Sequence, residues 1–108
     1  MSYKIELTDN FKREAKKLIK KYASLRGEIA ELGNQLSENP TVGVPLGNDV
    51  YKIRLSISSK NKGKSGGARV ISFVKVIKKT VYLLSIYSKG ERDTISNKEI
   101  KDILDRYV

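Results

Sequence analysis

The segment that most constrains the fold is the most apolar run in the chain, Thr80 to Ser88 (TVYLLSIYS). Valine, isoleucine and tyrosine favour strands, because branched and aromatic side chains pack well on a pleated surface. The run is far shorter than the ~18 apolar residues that indicate a transmembrane helix. We therefore predict that it forms a central strand and that the protein does not span a membrane.

The size of the chain limits how much can be built around this strand. With 108 residues, 39% of them hydrophobic, the chain can bury one modest core but not two. The prediction is a single domain over residues 1–108. The first residues do not resemble a signal peptide, so we expect a cytoplasmic protein.

The first third of the chain is predicted to contain one strand and two helices. Tyr3–Leu7 alternates apolar and polar residues, and Thr8 supplies an N-cap directly after it. Apolar residues then recur at helical spacing from Phe11 to Leu25 and again within Glu28–Ser37. A linker is predicted from Thr41 to Asp49.

The second half has the pattern of a sheet. Val50–Ile57 and Ala68–Ile77 are predicted strands, separated by a polar loop from Ser58 to Gly67. Ser96 and Glu99 match a capping box at the start of a C-terminal helix. The predicted order is β-α-α-β-β-β-α, an α+β fold with a mostly antiparallel sheet and helices packed on one face.

Positive charge is concentrated in the second half. The formal net charge is +10, and the segment from Val50 to Gly90 contains no Asp or Glu. Its ten basic residues are Lys52, Arg54, Lys60, Lys62, Lys64, Arg69, Lys75, Lys78, Lys79 and Lys89. A folded surface normally mixes signs, so this block predicts a polyanion partner, most often a nucleic acid. The alternative is a basic face kept for solubility.

The missing residue types narrow the chemistry. The chain has no Cys and no His, which excludes thiolate and imidazole metal ligands and His-dependent nucleophilic catalysis. The acid-free segment also lacks the carboxylates that two-metal phosphodiester cleavage needs. RNA carries its own nucleophile, the 2′-OH. The catalytic hypothesis is therefore RNA cleavage by cationic side chains, without a metal or other cofactor.

The candidate catalytic residues are Lys52, Arg54, Arg69, Tyr87 and Lys89. They converge on one surface if the three predicted strands that carry them are neighbours. Crowding of cations lowers the pKa of a lysine, which lets it act as a general base, and an arginine can neutralise the transition state. The alternatives are that Lys52 and Arg54 only bind phosphate and that Tyr87 is a core or edge aromatic.

The loop from Ser58 to Gly67 carries a second candidate group. Lys60, Lys62 and Lys64 occupy alternate positions, so in an extended chain they point the same way. The neighbouring glycines let the backbone approach a large ligand. We predict an RNA-binding arm that follows phosphates; the alternative is a solvated hairpin loop.

Three motifs together resemble the RelE/ParE superfamily of bacterial toxins: YKIRL at 51–55, KGKSGGARVI at 62–71 and LLSIYSKGE at 83–91. The second and third are most similar to the HigB-like branch, which carries a K-G-K-x-G-G-x-R loop and an L-L-x-I-Y-x-K strand. The resemblance covers nearly the whole chain and implies a RelE-like fold. It implies a toxin of a type II toxin–antitoxin system that enters the ribosomal A site, cleaves mRNA there and is neutralised by a cognate antitoxin.

The site residues of the family match this chain in part, at Lys52, Arg54, Arg69, Lys89 and the three loop lysines. RelE has an arginine directly after the strand-end lysine, where this chain has Gly90. RelE also has a tyrosine in its C-terminal part, and the matching region around Ser96 contains none. Tyr87 replaces that tyrosine only by proximity.

Two other functions stay open, namely a ParE-like toxin that inhibits gyrase and a non-catalytic nucleic-acid-binding module. The density of the cationic block favours the RNase over the gyrase inhibitor. We expect the antitoxin to be acidic where it binds. It either masks the cationic strands or docks on an apolar groove beside the first helix, flanked by Lys12, Lys16 and Lys20. We favour the docking on the helix.

Overall fold

The computed structural model describes residues 2–60, 66–92 and 94–108, apart from the side chain of residue 60. The strands are β1 (Lys4–Leu7), β2 (Val44–Gly47), β3 (Val50–Leu55), β4 (Ala68–Lys75) and β5 (Thr80–Ser88). The helices are α1 (Asp9–Lys21), α2 (Leu25–Glu38) and α3 (Asn97–Tyr107), with short 3₁₀ turns at Ser58–Lys60 and Val76–Lys78.

The five strands form one sheet in the order β1-β5-β4-β3-β2. β1 runs parallel to β5, and the other three pairs are antiparallel. The apolar run Thr80–Ser88 therefore lies inside the sheet between β1 and β4, as predicted. The α+β class and the mostly antiparallel sheet are confirmed.

The prediction of a linker from Thr41 to Asp49 is wrong in its second half, where β2 pairs with β3. β2 is exposed along its whole length, so it lacks the apolar alternation by which strands are recognised. Its proline is tolerated because an edge strand does not need every N–H. Asn48 and Asp49 both have positive φ, as a tight two-residue hairpin requires, and that dipeptide was the available signal.

The helices cover both faces of the sheet rather than one. α1 and α2 pack on the face that presents Ile53, Val70 and Leu83. α3 packs on the other face through Ile100. This residue belongs to an apolar cluster with Val50, Ile71, Leu84 and Tyr87 of the sheet. The one-face prediction thus applies to α1 and α2 only, because side chains alternate between faces along β4 and β5 and both sets are apolar.

β1 pairs with the first half of β5, and the start of α1 lies beside the second half. Thr8 caps the helix by accepting from the N–H of Phe11, and its hydroxyl donates to the carbonyl oxygen of Leu83 over 3.0 Å. Asn10 donates to the carbonyl oxygen of Leu84 over 2.9 Å. These side chains satisfy backbone groups that a strand would otherwise pair. They fix the part of β5 that leads to Tyr87.

The capping box at the start of α3 is present as predicted. The Ser96 hydroxyl accepts from the N–H of Glu99 over 3.1 Å. In the described part of the chain, none of the helices combines the length and the apolar character that a membrane crossing requires.

Candidate nucleic-acid interface

Three of the predicted site residues lie side by side across three strands. Arg54 on β3 pairs with Arg69 on β4, and Arg69 pairs with Tyr87 on β5. Residues that are directly opposite on neighbouring strands hold their Cβ atoms about 4.5–5.5 Å apart. We call these three residues the cross-strand row. Its members are up to 33 positions apart in the chain, as the numbering shows.

The other two predicted residues lie near the row. Lys52 shares its face of β3 with Arg54, because side chains two positions apart point the same way. Lys89 directly follows β5, and its N–H donates to the carbonyl oxygen of Gly67 over 3.0 Å. That bond ties the end of β5 to the start of β4. All five candidate catalytic residues therefore lie towards one end of the sheet.

The row is exposed at one end and enclosed at the other. Arg54 is exposed and Lys52 half-buried. Arg69 and Tyr87 are each only 5% exposed. The Tyr87 hydroxyl is enclosed, and its side chain belongs to the same cluster as Ile100 of α3. This burial agrees with the alternative that Tyr87 is a core aromatic, and a direct role of its hydroxyl stays a prediction.

Arg69 is the most buried of the predicted catalytic cations that the structure describes. One of its terminal nitrogens donates to the carbonyl oxygen of Ala68 over 3.2 Å. Burial of a charged group requires such polar partners, because desolvation without them is costly. A guanidinium can bind two oxygens of one phosphate through its planar fork of N–H donors. Because Arg69 is only 5% exposed, its contact with a phosphate stays a prediction.

Lys62 and Lys64 lie outside the described residues, as does the side chain of Lys60. The structure shows why the loop ends in a glycine. A Cβ on Gly67 would come within 2.1 Å of the carbonyl oxygen of Leu55. Glycine is thus required here for a close approach between the start of β4 and the end of β3.

Arg92 belongs to this region and was missed by the sequence reasoning. Its guanidinium carbon lies 5.5 Å from the centre of the Tyr87 ring. It also pairs with Glu99, and this hydrogen bond is the main reason why the pKa of that carboxyl is lowered. The position of Arg92 depends on a turn in which its backbone N–H donates to the carbonyl oxygen of Ser88. The polar sequence after Lys89 contains no pattern that predicts this turn.

Within residues 2–60, 66–92 and 94–108, no group of three or more carboxylates is placed to hold a metal ion.

A second region, on the α1 and α2 side of the molecule, forms an apolar groove of about 610 Å³. Its floor is formed by Leu7, Phe11, Ala15, Ile19, Ile29 and Ala30. Its rim carries Lys12, Lys16, Lys20 and Arg26. We call it the helical groove. It is the groove that the sequence predicts beside the first helix.

The fold and the cross-strand row define a small α+β protein with clustered cations at one end of its sheet, as expected of a polyanion-binding protein. Residues 3–105 match the family model described as the RelE toxin of the RelE/RelB toxin–antitoxin system. The chain belongs to this family and is a RelE-type toxin of a type II toxin–antitoxin system.

Solved structures show the same fold. The chain is similar to a double mutant of the E. coli toxin RelE in the free state, with a TM-score of 0.65, 18% identity and 100% of both chains covered. It is similar to a chain of the intact E. coli RelBE toxin–antitoxin complex, with a TM-score of 0.62 and 21% identity over 81% of this chain and 96% of that chain. A chain of the Mycobacterium tuberculosis RelBE2 complex matches with a TM-score of 0.61 and 20% identity over 82% of this chain and 99% of that chain.

Proposed function

We propose that this toxin is a ribosome-dependent mRNA endoribonuclease of the HigB-like branch, acting in the cytoplasm without a metal at the catalytic step. The observation that carries the proposal is the cross-strand row with Lys52 beside it. The row places two guanidinium groups on adjacent strands at one end of the sheet. Two arginines in this arrangement can stabilise the negative charge that develops on the phosphodiester oxygens in the transition state.

The proposed reaction uses the 2′-OH of the substrate as the nucleophile. The 2′-oxygen attacks the phosphorus, the bond to the 5′-oxygen breaks, and the departing 5′-oxygen takes up a proton from water. The products are a 2′,3′-cyclic phosphate and a 5′-OH end. Lys52 is the proposed general base that accepts the proton of the 2′-OH, and Arg69 is proposed to neutralise the equatorial oxygens. Arg54 and Lys89, at the more accessible ends of the region, bind the flanking phosphates.

The acid-free segment Val50–Gly90 supports the metal-independent form of this reaction. Divalent ions at a phosphodiester are held mainly by carboxylates, and this segment carries none. The match to a RelE family model also favours an RNase over a gyrase inhibitor.

The function is tested in a purified translation system with a defined mRNA. Cleavage that needs both ribosomes and toxin, and that leaves a 2′,3′-cyclic phosphate, is the expected result. Chelation of free divalent ions, with ribosome integrity monitored by sedimentation, should leave the cleavage step unchanged. Gyrase-dependent DNA breaks without RNA cleavage would support the ParE-like alternative. Binding of RNA with neither activity would support the non-catalytic module.

We further propose that the cognate antitoxin docks on the helical groove. Related toxins have been crystallised in complex with their RelB antitoxins. The floor of the groove is apolar and its rim is basic, which suits an amphipathic segment with acidic flanks. An antitoxin bound there inhibits by bulk, because it prevents the toxin from entering the ribosomal A site while the cationic row stays uncovered.

A further inference from the structure

The contact between Arg92 and Tyr87 joins two parts of the protein that meet only in the folded state. The guanidinium of Arg92 lies over the Tyr87 ring at 5.5 Å, within the range of a cation–π interaction. Tyr87 is 5% exposed, whereas the Arg92 side chain is 33% exposed. The cation thus covers one side of a ring that is otherwise enclosed by the protein.

Several contacts hold Arg92 over the ring. Its backbone N–H donates to the carbonyl oxygen of Ser88 over 3.1 Å, which closes a turn directly after β5. Its Nε donates to the carbonyl oxygen of Thr94 over 2.8 Å, and a terminal nitrogen donates to the Glu99 carboxylate. A guanidinium with two fixed N–H groups has little freedom to turn, because the group is planar.

Glu99 is itself fixed by the start of α3. Its backbone N–H donates to the Ser96 hydroxyl over 3.1 Å, and its carboxylate accepts from the Ser96 N–H over 3.5 Å. The carboxylate that caps α3 is therefore the same one that binds Arg92. The start of α3, Arg92 and the Tyr87 ring form one connected unit.

This unit reaches the cross-strand row through Tyr87. Tyr87 is the direct cross-strand neighbour of Arg69, and the side chains of such a pair are close enough to contact each other. We propose that Arg92 is a positioning residue that fixes the Tyr87 ring, and through it Arg69, by linking the ring to Glu99 on α3. The part of this proposal that concerns activity rests on the proposed RNase function.

The test combines four variants with cleavage kinetics and NMR. Arg92→Ala removes the cation, Arg92→Lys keeps the charge without the planar fork, and Glu99→Gln keeps an N3 side chain that can cap a helix. Tyr87→Leu removes the ring. The matched control is Arg106→Ala, because Arg106 is an exposed arginine on α3, the helix that also carries Glu99. Circular dichroism and thermal unfolding verify the fold of each variant.

We expect Arg92→Ala to lower the single-turnover cleavage rate at saturating toxin by roughly 10–100-fold, the size of effect that follows from misplaced catalytic groups. The toxin concentration at half-saturation should stay unchanged. Arg92→Lys should restore part of the rate, and Glu99→Gln should lower it by a smaller factor than Arg92→Ala. In the Tyr87→Leu background, Arg92→Ala should add no more than about a twofold loss, because coupled residues are not additive.

NMR provides a readout that does not depend on activity. The ring resonances of Tyr87, assigned with Tyr87→Phe, and the Nε–H resonance of Arg69 should both shift in Arg92→Ala and in Glu99→Gln but not in Arg106→Ala. Unchanged resonances would overturn the proposal even if cleavage is lost. A raised half-saturation concentration, or a full additional loss in the Tyr87→Leu background, would also overturn it, since Arg92 would then contact RNA itself.

The two proposals can fail separately. If the wild-type protein does not cleave mRNA on ribosomes, the proposed function fails, and the NMR shifts alone decide whether Arg92 positions Tyr87 and Arg69. If the wild type cleaves and Arg92→Ala cleaves at the same rate, the positioning role fails and the RNase function stands.

Discussion

The cross-strand row and the helical groove carry the same sign of charge but hold it differently. In the row, Arg69 is buried and hydrogen-bonded to the backbone. In the groove, Lys12, Lys16 and Lys20 are exposed around an apolar floor. A fixed guanidinium recognises one phosphate geometry, whereas mobile ammonium groups attract any acidic partner. The difference supports the two proposals, in which the row acts in chemistry and the groove binds the antitoxin.

The largest expected effect that separates the two regions comes from Arg69→Ala. Loss of one fixed donor to a transition-state oxyanion costs about 10²–10³ in rate, so growth arrest and ribosome-dependent cleavage should disappear. The far-UV circular dichroism and the affinity for the antitoxin should be retained. Lys75→Ala, at the other end of the same strand, is the control and should cleave normally. A folded Arg69→Ala protein that remains fully toxic would contradict this assignment.

Gly67→Ala should damage the row and spare the groove. The added Cβ meets the Leu55 carbonyl oxygen at 2.1 Å, so the start of β4, next to Arg69, has to move away from β3. Overpacking of this kind lowers the free energy of unfolding by about 1–3 kcal/mol. We expect reduced cleavage with intact binding of the antitoxin, measured by urea denaturation, cleavage assay and calorimetry.

Gly33→Ala is the control for Gly67→Ala. An added Cβ at Gly33 on α2 meets no atom within 4 Å, and alanine favours a helix over glycine by about 0.5–1 kcal/mol. This variant should therefore be slightly more stable than the wild type. Equal stability losses for the two glycine variants would show that crowding at Leu55 is not the cause.

Charge reversal tests which region the antitoxin meets first. Replacement of Lys12, Lys16 and Lys20 by Glu should slow antitoxin association by about tenfold at low salt, because electrostatic steering raises association rates by this order or more. The same change at Lys60, Lys62 and Lys64 should have a smaller effect. Stopped-flow rates over a range of salt concentrations measure both. If the loop set is the more sensitive, direct masking of the cationic strands is the better explanation.

The smallest expected effect is a pH dependence of α3. The Arg92 hydrogen bond lowers the pKa of Glu99, so the folded state binds this proton less tightly than the unfolded chain does. The stabilisation is complete above the unfolded pKa of about 4.3 and is lost as the pH falls through the lower folded pKa. The pair is half-exposed, so its contribution is about 0.2–1 kcal/mol.

Thermal unfolding of the wild type and Glu99→Gln between pH 6 and pH 3 measures this contribution. The difference in melting temperature between the two proteins should shrink towards acid pH. A difference that stays constant over this range would show that the carboxylate of Glu99 is not the group responsible.

Much of the fold follows from local patterns. The helical spacing that begins at Phe11 and the capping box at Ser96 and Glu99 predict α1 and α3, which the structure contains. The predicted extension of the first helix to Leu25 is wrong, because α1 ends at Lys21 and Leu25 begins α2. The apolar run Thr80–Ser88 predicts an interior strand. β2 was missed because an exposed edge strand buries neither face and so leaves no alternating pattern. α3 lies on the second face because it packs on Ile71 and Leu84. Which face of the sheet these two residues occupy depends on how the strands pair, and the local sequence does not determine it.

The sequence by itself determined the charge of the protein, the acid-free segment, the types of its elements and the candidate residues, because composition and periodicity are local properties. The tertiary structure decided which of those residues are neighbours. Arg54, Arg69 and Tyr87 form a row because of the register between three strands. Arg92 faces Tyr87 because a turn and the start of α3 place it there. The register of the strands and the closure of the turn depend on packing across the whole sheet. The sequence of a single segment therefore does not determine them.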